Sequence, residues 1–373
     1  MLKVWPIDHI NQVICGDCLE VLRAMPDESV NCCITSPPYW GLRDYGTAKW
    51  VGGDENCDHI ETLNKHGGQR ANRNQNGYKK LYMDICKICG AKRIDSQFGL
   101  EKTPEEYVAK LVEVFREVRR VLRKDGTLWL NLGDSYAGSN GTGGNPGDKQ
   151  WTQPGSRQKS RPNIPQNLKP KDLVGIPWRV AFALQADGWY LRQDIIWHKP
   201  NPMPESVTDR CTKAHEYVFL LSKNAKYYYD GGAIGEPLSV APHRPGNNLH
   251  SDKISGPNDR GGHSQWEDTK ERTWCKSGYR NRRSVWTVTT KPSKEAHFAM
   301  FPPDLIEPMV LAGCPEGGII LDPFMGAGTT GMVAKQNYRN YIGIELNEKY
   351  IEMAQKRIDS TLVNKKLEFG GET

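Results

Sequence analysis

The chain has 373 residues, of which 37% are hydrophobic and 25% charged, so it is long enough to bury a sizeable core in one large domain with insertions or in two domains. The formal net charge of +6 is compatible with a polyanionic partner but does not by itself establish one. The amino-terminal MLKVWPIDHI lacks the apolar core of a signal peptide, and no segment predicts a membrane span, so we expect a cytoplasmic protein. In a reducing compartment, the ten cysteines indicate metal ligands or core residues before disulfides.

Predicted strands and helices alternate from the amino terminus onward. QVICGDCLEVLRAMP predicts a strand, a turn at Gly16-Asp17 and a short helix, and a buried strand follows from Val30 to Ile34. In TPEEYVAKLVEVFREVRRVLRKDG, Thr103 is the expected N-cap of a helix, Pro104 its first residue and Glu106 the second half of a capping box. We expect Asp125-Gly126 to end this helix, whose apolar face carries Tyr107, Leu111, Val114, Val118 and Val121.

The same alternation continues to the carboxyl terminus. TLWLNLGD predicts a buried strand, DLVGIPWRVAFALQADG a helix, and WYLRQDIIWHKP and HEYVFLLSK two more strands. GGIILDPFMGAGTTGMVAKQNYRNYIGIELNEKYIEMAQKRI then repeats strand, glycine-rich turn, helix, strand and helix. This order predicts an α/β fold with a mainly parallel sheet covered by helices on both faces. Three polar segments interrupt the pattern: 51–97 is interpreted as an insertion, 137–171 as a flexible loop rich in glycine, proline and basic residues, and 231–284 is a third polar stretch.

The glycine-rich turn LDPFMGAGTT lies between a predicted strand and a predicted helix. Gly326 and Gly328 allow a ligand to approach the backbone, and the helix N-terminus favours an anionic group. Glu345 ends the next strand, where an acid could bind ribose hydroxyls. The alternative is an ordinary strand–helix turn, but the Asp-Pro-Phe lead and the later acid favour a cofactor that contains a nucleoside.

A second unusual stretch, TSPPYW, follows the strand that begins at Val30. Consecutive prolines at 37 and 38 remove two backbone donors and fix two φ angles. This stretch resembles motif IV of the DNA amino-methyltransferases, and DPFMGAG resembles their S-adenosylmethionine motif I. The catalytic motif precedes the cofactor motif, as in the permuted β class, so residues 1–373 are interpreted as one permuted domain. The resemblance implies a Rossmann-like, S-adenosylmethionine-dependent methyltransferase fold with duplex DNA as substrate.

The resemblance also implies a role for each residue of the proline corner. An exocyclic amine on a base is a poor nucleophile because its lone pair is delocalised into the ring. The Ser36 side chain and the Pro37 carbonyl would accept the two amine hydrogens, and Pro38 would hold that geometry. Tyr39 would stack on a base swung out of the duplex. S-adenosylmethionine would supply the methyl group in line, so that positioning provides most of the catalysis.

Further residues carry over from the family as contacts to the cofactor. Asp17 in ICGDC matches the acidic residue beside the adenine, and HFAMFPPDLIEPMV resembles motif X, which borders the methionine part of the cofactor. The implied cofactor contacts are Asp17, His297, Phe301, Pro302, Asp322, Pro323, Phe324, Gly326, Gly328, Thr329 and Glu345. The implied DNA contacts are Trp40, Arg43, His198, Lys199, Arg282 and Arg283. Segment 231–284 occupies the place of the target-recognition region, although a solvated basic loop is the alternative.

The target base and the biological partners stay open at this stage. Ser-Pro-Pro-Tyr is more typical of cytosine-N4 enzymes and Asp-Pro-Pro-Tyr of adenine-N6 enzymes, so cytosine N4 is preferred and adenine N6 is the alternative. A cytosine-C5 enzyme is disfavoured, because it needs a nucleophilic Pro-Cys that the chain lacks. More remote alternatives are an RNA or protein-amide methyltransferase and a non-catalytic DNA-binding protein. A cognate restriction endonuclease and a homodimer are left undecided.

The first polar insertion carries a candidate metal site. CDHI and the later CKICG supply Cys57, His59, Cys86 and Cys89, a four-ligand set suited to tetrahedral zinc. The Cys-x-His spacing is tight, so His66 is a substitute ligand. An insertion with little core of its own would gain stability from a structural metal. By contrast, Cys15 and Cys18, and likewise Cys32 and Cys33, are expected to be core residues.

Overall fold

The computed structural model describes residues 5, 7–41, 49–57, 85–86, 88–94, 97–137, 167–237, 279–290 and 301–363. The helices are α1 (Cys18–Ala24), α2 (Pro104–Val121), α3 (Ile176–Ala186), α4 (Pro303–Gly313), α5 (Thr329–Gln336) and α6 (Glu348–Asp359). The strands are β1 (Gln12–Cys15), β2 (Val30–Thr35), β3 (Lys49–Val51), β4 (Lys92–Ile94), β5 (Leu122–Leu132), β6 (Tyr190–His198), β7 (His215–Ser222), β8 (Glu236–Pro237), β9 (Tyr279–Arg280), β10 (Val285–Thr287), β11 (Ile319–Asp322) and β12 (Asn340–Glu345).

Within these residues, eight strands form one sheet in the order β1-β12-β11-β2-β5-β7-β6-β10. All neighbours from β1 to β5 are parallel, and β10 is parallel to β6. Only β7 runs antiparallel to its neighbours in this sheet, because β6 and β7 are joined by the segment 199–214 and pair as a long hairpin, without a crossover helix. The expected mainly parallel α/β sheet is therefore confirmed, with β7 as its one antiparallel strand among the described residues.

Helices cover both faces of the sheet. One buried cluster joins α1, α2 and α3 to the sheet, and a second joins α4, α5 and α6 to the opposite face. Strand β5 shows the division, since Leu128 and Leu130 belong to the first cluster and Trp129 to the second. A strand buried on both faces reads as a continuous apolar run, which is how TLWLNL appears in the sequence.

Helix α2 begins as its sequence predicts but ends earlier. The Thr103 hydroxyl accepts the Glu106 N–H at 3.1 Å, while the Glu106 carboxylate accepts the N–H of Lys102 at 3.1 Å, one residue before the expected partner. The helix ends at Val121 rather than at Asp125-Gly126, because β5 already begins at Leu122 and pairs there with Val30. Its predicted apolar face is fully buried at Tyr107, Leu111, Val114, Val118 and Val121.

The cysteines of the central sheet are mostly core residues, as expected. Cys32 and Cys33 have no exposed surface, and Cys18 is buried. Cys15 was wrongly expected in the core; it ends the edge strand β1 and is exposed. In the part of the chain that the structure describes, no helix has both the length and the apolar character needed to cross a bilayer.

Candidate active site

The carboxyl ends of β2, β11 and β12 meet at one edge of the sheet, because these three strands are parallel neighbours. Thr35 ends β2, directly before the proline corner, and Asp322 ends β11, directly before the glycine-rich turn. The Thr35 hydroxyl donates to Asp322 Oδ1 at 2.6 Å, although the two residues are 287 positions apart. The two motifs singled out in the sequence therefore lie side by side.

Asp322 is the polar centre of this junction and is only 1% exposed. Its Oδ1 also accepts the Phe324 N–H at 3.1 Å, and its Oδ2 accepts the Thr330 hydroxyl at 2.6 Å. Burial raises the pKa of Asp322 to about 6, and the hydrogen bonds from Thr330, Thr35 and Phe324 limit the rise. The carboxyl thus fastens the start of the glycine-rich turn to β2 and to α5.

The glycine-rich turn contains two glycines with positive φ angles, Gly328 and Gly326. Gly328 has a φ of +76°, and a Cβ on it would lie 2.9 Å from the Cβ of Ala354 in α6. Gly326 also has a positive φ, +52°, and its N–H donates to Glu345 Oε2 at 2.9 Å. The other Glu345 oxygen accepts the N–H of Asn347 at 2.9 Å. Burial raises the pKa of Glu345, and the hydrogen bonds from Asn347 and Gly326 oppose that rise.

Three other predicted cofactor residues, Asp17, Phe324 and Thr329, lie near this edge of the sheet and make intramolecular contacts. Asp17 follows β1, whose Cys15 pairs with Glu345, and it caps α1 by accepting the Leu19 N–H at 2.9 Å. Phe324 packs edge-on against Phe98 with ring centroids 5.2 Å apart. Thr329 is buried, and its hydroxyl accepts a hydrogen bond from Arg357 at 3.0 Å.

The remaining predicted cofactor residues lie in the glycine-rich turn and at the start of α4. Pro323 is buried in the turn, Phe301 is half-buried before α4, and Pro302 is the N-cap residue of α4. His297 lies outside the described residues.

A hydrogen bond from α2 anchors the proline corner. Pro37 is buried, and the Pro38 carbonyl accepts the Tyr107 hydroxyl at 2.9 Å. Ser36 remains partly accessible, and its hydroxyl donates to Asn131 Oδ1 at 3.3 Å. The corner therefore has a backbone held by α2, and its one side-chain hydroxyl is partly accessible beside the end of β5.

Tyr39 lies beside Ser36 with its hydroxyl in a polar cluster. That hydroxyl is 2.8 Å from Glu216 Oε2, 3.1 Å from Asn131 Oδ1 and 3.5 Å from Ser36 Oγ. The ring lies against Gly133, where a Cβ would come within 2.3 Å of a ring carbon. Burial, and then the negative charge of Glu216, raise the pKa of Tyr39 well above its ordinary value, so the phenol stays protonated.

Asn131 and Glu216 are site residues that the sequence interpretation missed. Asn131 lies near the carboxyl end of β5, and Glu216 is the second residue of β7, which pairs antiparallel with β5 and β6. Neither was singled out as a site residue, although Glu216 lies in HEYVFLLSK, a segment that resembles the family's hairpin region near the target-base pocket. The available signal was the position of Asn131 near the end of a strand beside β2.

Most of the predicted DNA contacts are engaged in intramolecular contacts. Trp40 Nε1 donates to the Glu101 carbonyl at 3.0 Å, and Lys199 forms an ion pair with Glu216. His198 Nδ1 lies 3.1 Å from the Thr287 hydroxyl.

The basic residues that the structure describes in the predicted target-recognition segment, Arg280, Arg282 and Arg283, also have intramolecular partners. Arg282 lies over the Trp286 ring at 4.9 Å, and Arg283 donates to Glu236 at 2.8 Å. Arg43, and residues 238–278 of the predicted target-recognition segment, lie outside the described residues.

Three of the predicted metal ligands come together. The ligand atoms of Cys57, Cys86 and Cys89 lie within 4.8 Å of one another, and the sulfurs of Cys57 and Cys86 are 3.9 Å apart. Gly90 has a φ of +76° and donates its N–H to the Cys86 carbonyl at 2.9 Å, which turns the chain tightly around the site. His59 and the substitute His66 lie outside the described residues.

We expect Gly133→Ala to lower catalytic turnover about tenfold or more, because the added methyl group would displace the Tyr39 ring and pull its hydroxyl away from Glu216. Steady-state kinetics would show the loss, with the melting temperature as the control for folding. Unchanged turnover in a folded variant would show that the position of the Tyr39 ring has no effect on the reaction.

A Rossmann-like sheet with a glycine-rich turn, a strand-end acid and an adjacent Ser-Pro-Pro-Tyr corner defines a class of methyltransferases. Residues 30–356 match the family model described as DNA methylase (N6_N4_Mtase). The Type II methyltransferase M.Cfr9I of Citrobacter freundii is 42% identical over 349 residues, covering 94% of this chain and 88% of the relative. M.SmaI of Serratia marcescens is 40% identical over 347 residues, covering 93% and 90%. The chain therefore belongs to the DNA methylase family and is a DNA amino-methyltransferase.

Two solved structures share this fold. The cytosine-N4-specific PvuII DNA methyltransferase matches with a TM-score of 0.53 and 16% identity, over 92% of this chain and 85% of that one. A DNA modification methylase of Thermus thermophilus, TTHA0409, solved in complex with S-adenosyl-L-methionine and described as putative in its function, matches with a TM-score of 0.51 and 19% identity, over 97% and 99%. At these identities the likeness concerns the fold, and it confirms the expected Rossmann-like architecture.

Proposed function

We propose that this protein transfers the methyl group of S-adenosylmethionine to the exocyclic N4 amine of a cytosine swung out of duplex DNA. The observation that carries the proposal is the contact between Thr35 and Asp322, which sets the proline corner beside the glycine-rich turn. A methyl donor held at the turn would lie next to an amine held at the corner. That proximity is what a transfer between two bound substrates requires.

The turn supplies groups suited to S-adenosylmethionine. Phe324 offers an aromatic surface, and the half-buried Glu345 and the capping Asp17 are acids at neighbouring strand ends, where ribose hydroxyls and the adenine amine need acceptors. The sulfonium carries the transferable methyl group when the cofactor is bound. The TTHA0409 complex with this cofactor, on the same fold, supports the choice.

The corner supplies groups suited to an amine. The Ser36 oxygen and the Pro37 carbonyl are two acceptors on consecutive residues, and the prolines at 37 and 38 restrict the backbone and add no N–H donor beside these acceptors. Two acceptors that take both amine hydrogens favour a pyramidal nitrogen with a localised lone pair. Cytosine N4 is preferred because Ser-Pro-Pro-Tyr is typical of that subgroup, and adenine N6 is the alternative because the same acceptors suit its amine. The Type II relatives support a role in a restriction–modification system.

Expression with a plasmid, followed by digestion of its DNA to nucleosides and mass spectrometry, tests the proposal and identifies the base. We expect N4-methylcytosine. N6-methyladenine would replace the preferred base with the alternative. Unmodified DNA from cells that contain folded, cofactor-binding protein would contradict DNA methylation and favour an RNA, a protein amide or a non-catalytic role.

We further propose that Cys57, Cys86 and Cys89 bind a structural zinc ion, with His59 or His66 as the fourth ligand. Tetrahedral zinc with Zn–S distances of about 2.3 Å separates its sulfurs by about 3.8 Å, and Cys57 and Cys86 are 3.9 Å apart. Gly53 supports this geometry, since a Cβ there would lie 2.8 Å from Cys89 Sγ. The ion would join the segment that follows β3 to the segment that precedes β4.

Elemental analysis is expected to find about one zinc per chain, because a closed thiolate site retains its metal through purification. Cys89→Ser should lose most of the metal and lower the melting temperature, whereas Cys211→Ser, at an exposed cysteine outside the cluster, should retain it. Wild-type protein without stoichiometric zinc would contradict the site.

A further inference from the structure

We propose that Glu216 is a positioning residue for methyl transfer, because its carboxylate sets the hydrogen bonds of Tyr39 and Asn131 so that Ser36 offers lone pairs to the target amine. This inference rests on the proposed function of Ser36. It adds a residue from β7 to the proline corner and the glycine-rich turn, which follow β2 and β11.

The direction of the single Ser36 hydroxyl proton decides where the lone pairs of this oxygen point. A serine hydroxyl has one O–H and two lone pairs, so it accepts an amine hydrogen best when its own proton is bound elsewhere. Two acceptors lie within reach: Asn131 Oδ1, which can only accept, at 3.3 Å, and the Tyr39 hydroxyl oxygen, which is farther away at 3.5 Å. The Ser36 proton therefore points toward Asn131, and its lone pairs face away from that residue.

Two acceptors fix the orientation of the Asn131 amide. Its Nδ2 donates to the Tyr217 carbonyl at 3.1 Å and to Glu216 Oε2 at 3.4 Å. Turning the amide over would bring its oxygen against those two acceptors and its NH₂ against Ser36. Glu216 thus helps to keep the accepting end of Asn131 directed at Ser36.

The hydroxyl proton of Tyr39 has two acceptors within reach. Glu216 Oε2 lies 2.8 Å from the phenol oxygen and Asn131 Oδ1 lies 3.1 Å from it. A charged acceptor forms the stronger hydrogen bond, so the carboxylate draws the Tyr39 proton away from Asn131. Asn131 Oδ1 is then left for Ser36.

Glu216 is itself held in place by a cation. Its Oε1 accepts the Lys199 ammonium, which lies 4.1 Å from the centre of the Trp197 ring. The two side chains of the ion pair are only 18% and 17% exposed, so a change at either one leaves a charge with little water to solvate it. The carboxylate therefore has one oxygen committed to Lys199 and the other to the cluster around Ser36.

Glu216→Gln keeps the shape of the side chain but removes this arrangement. Lys199 would take the amide oxygen, so that the NH₂ group faces Tyr39 and Asn131. Tyr39 would then accept from residue 216 and donate to Asn131, in competition with Ser36. We expect single-turnover methylation to slow about tenfold or more, while the Kd values for S-adenosylmethionine and duplex DNA stay within about twofold. Asp187→Asn is the matched control, because it removes a carboxylate that is paired with Arg116 at 2.6 Å, outside this cluster.

A double-mutant cycle with Ser36→Ala distinguishes positioning from a general structural role. If Glu216 acts through Ser36, Glu216→Gln adds little to the loss already caused by Ser36→Ala. If Glu216→Gln fails to fold, Asn131→Leu serves in the same cycle, because it removes the linking amide and leaves the ion pair with Lys199 intact. Losses that multiply, or a single variant with wild-type turnover, would overturn the inference. An inactive wild-type enzyme in the same assay would overturn the proposed function, and this inference with it.

Discussion

Ser36→Ala is expected to lower the rate of methyl transfer about 100-fold or more. The proposed amine acceptor is lost, while the cofactor turn and the backbone of the proline corner are unchanged. Ser36 is partly accessible, and its hydroxyl lies within hydrogen-bond distance of Asn131 Oδ1 and the Tyr39 oxygen, both of which can accept its single proton, so its removal leaves no deeply buried donor without a partner. The melting temperature, and the Kd values for cofactor and duplex DNA, should therefore stay close to those of the wild type.

Ser29→Ala is the matched control for this prediction. Ser29 directly precedes the other end of β2, and its hydroxyl donates to the Pro26 carbonyl at 2.8 Å. It should methylate DNA at the wild-type rate. If Ser36→Ala also kept the wild-type rate, Ser36 would not be the amine acceptor and the proposed chemistry of the corner would be wrong.

The second large effect is expected at Asp322, the carboxyl that joins the two motifs. Asp322→Ala removes the acceptor for the Thr35 and Thr330 hydroxyls and the Phe324 N–H. Leaving buried donors without partners costs about 1–3 kcal/mol each, so we expect a loss of about 3 kcal/mol or more in the free energy of unfolding. Cofactor affinity should fall as well, because the start of the glycine-rich turn loses its attachment to β2. An Asp322→Ala variant as stable as the wild type would contradict this structural role.

Asp322→Asn should additionally change the pH dependence of stability. The folded protein holds the Asp322 proton up to a pKa of about 6, above the ordinary value of 3.8. Between these values the folded state binds more protons than the unfolded chain, so the wild type loses stability as the pH rises, by up to about 3 kcal/mol from this group. Asparagine does not titrate, so the stability of the variant relative to the wild type should increase by about that amount from pH 4 to pH 7. Urea unfolding across this range measures the difference, and a constant difference would contradict the burial of a charged group.

The sequence predicted the scaffold well wherever periodicity and capping act locally. The buried face of α2 and its cap at Thr103 depend only on spacing and on one side chain, and both are confirmed. The meeting of the proline corner and the glycine-rich turn was also predictable. Two motifs that each end a parallel strand share one edge of the sheet, provided that the strands are neighbours.

The parts that the sequence did not predict depend on strand pairing. Glu216 reaches the Tyr39 hydroxyl only because β7 pairs antiparallel between β5 and β6, with Leu132 opposite Tyr217. No spacing in the sequence encodes that register. Likewise, Trp40 and Lys199 carry no mark that distinguishes a DNA contact from an internal hydrogen bond or ion pair, and in the folded chain each has an internal partner. The contact surface for DNA remains a prediction at these positions.

A crystal structure of this protein with S-adenosylhomocysteine, the demethylated cofactor, would test directly whether the proline corner and the glycine-rich turn share one cleft. We predict that the adenosine lies along the turn that contains Phe324 and Gly326, near Glu345, and that the sulfur faces the corner formed by Ser36 and Pro37. A cofactor bound elsewhere, or bound at the turn with its sulfur directed away from Ser36, would contradict a single cleft shared by the two motifs.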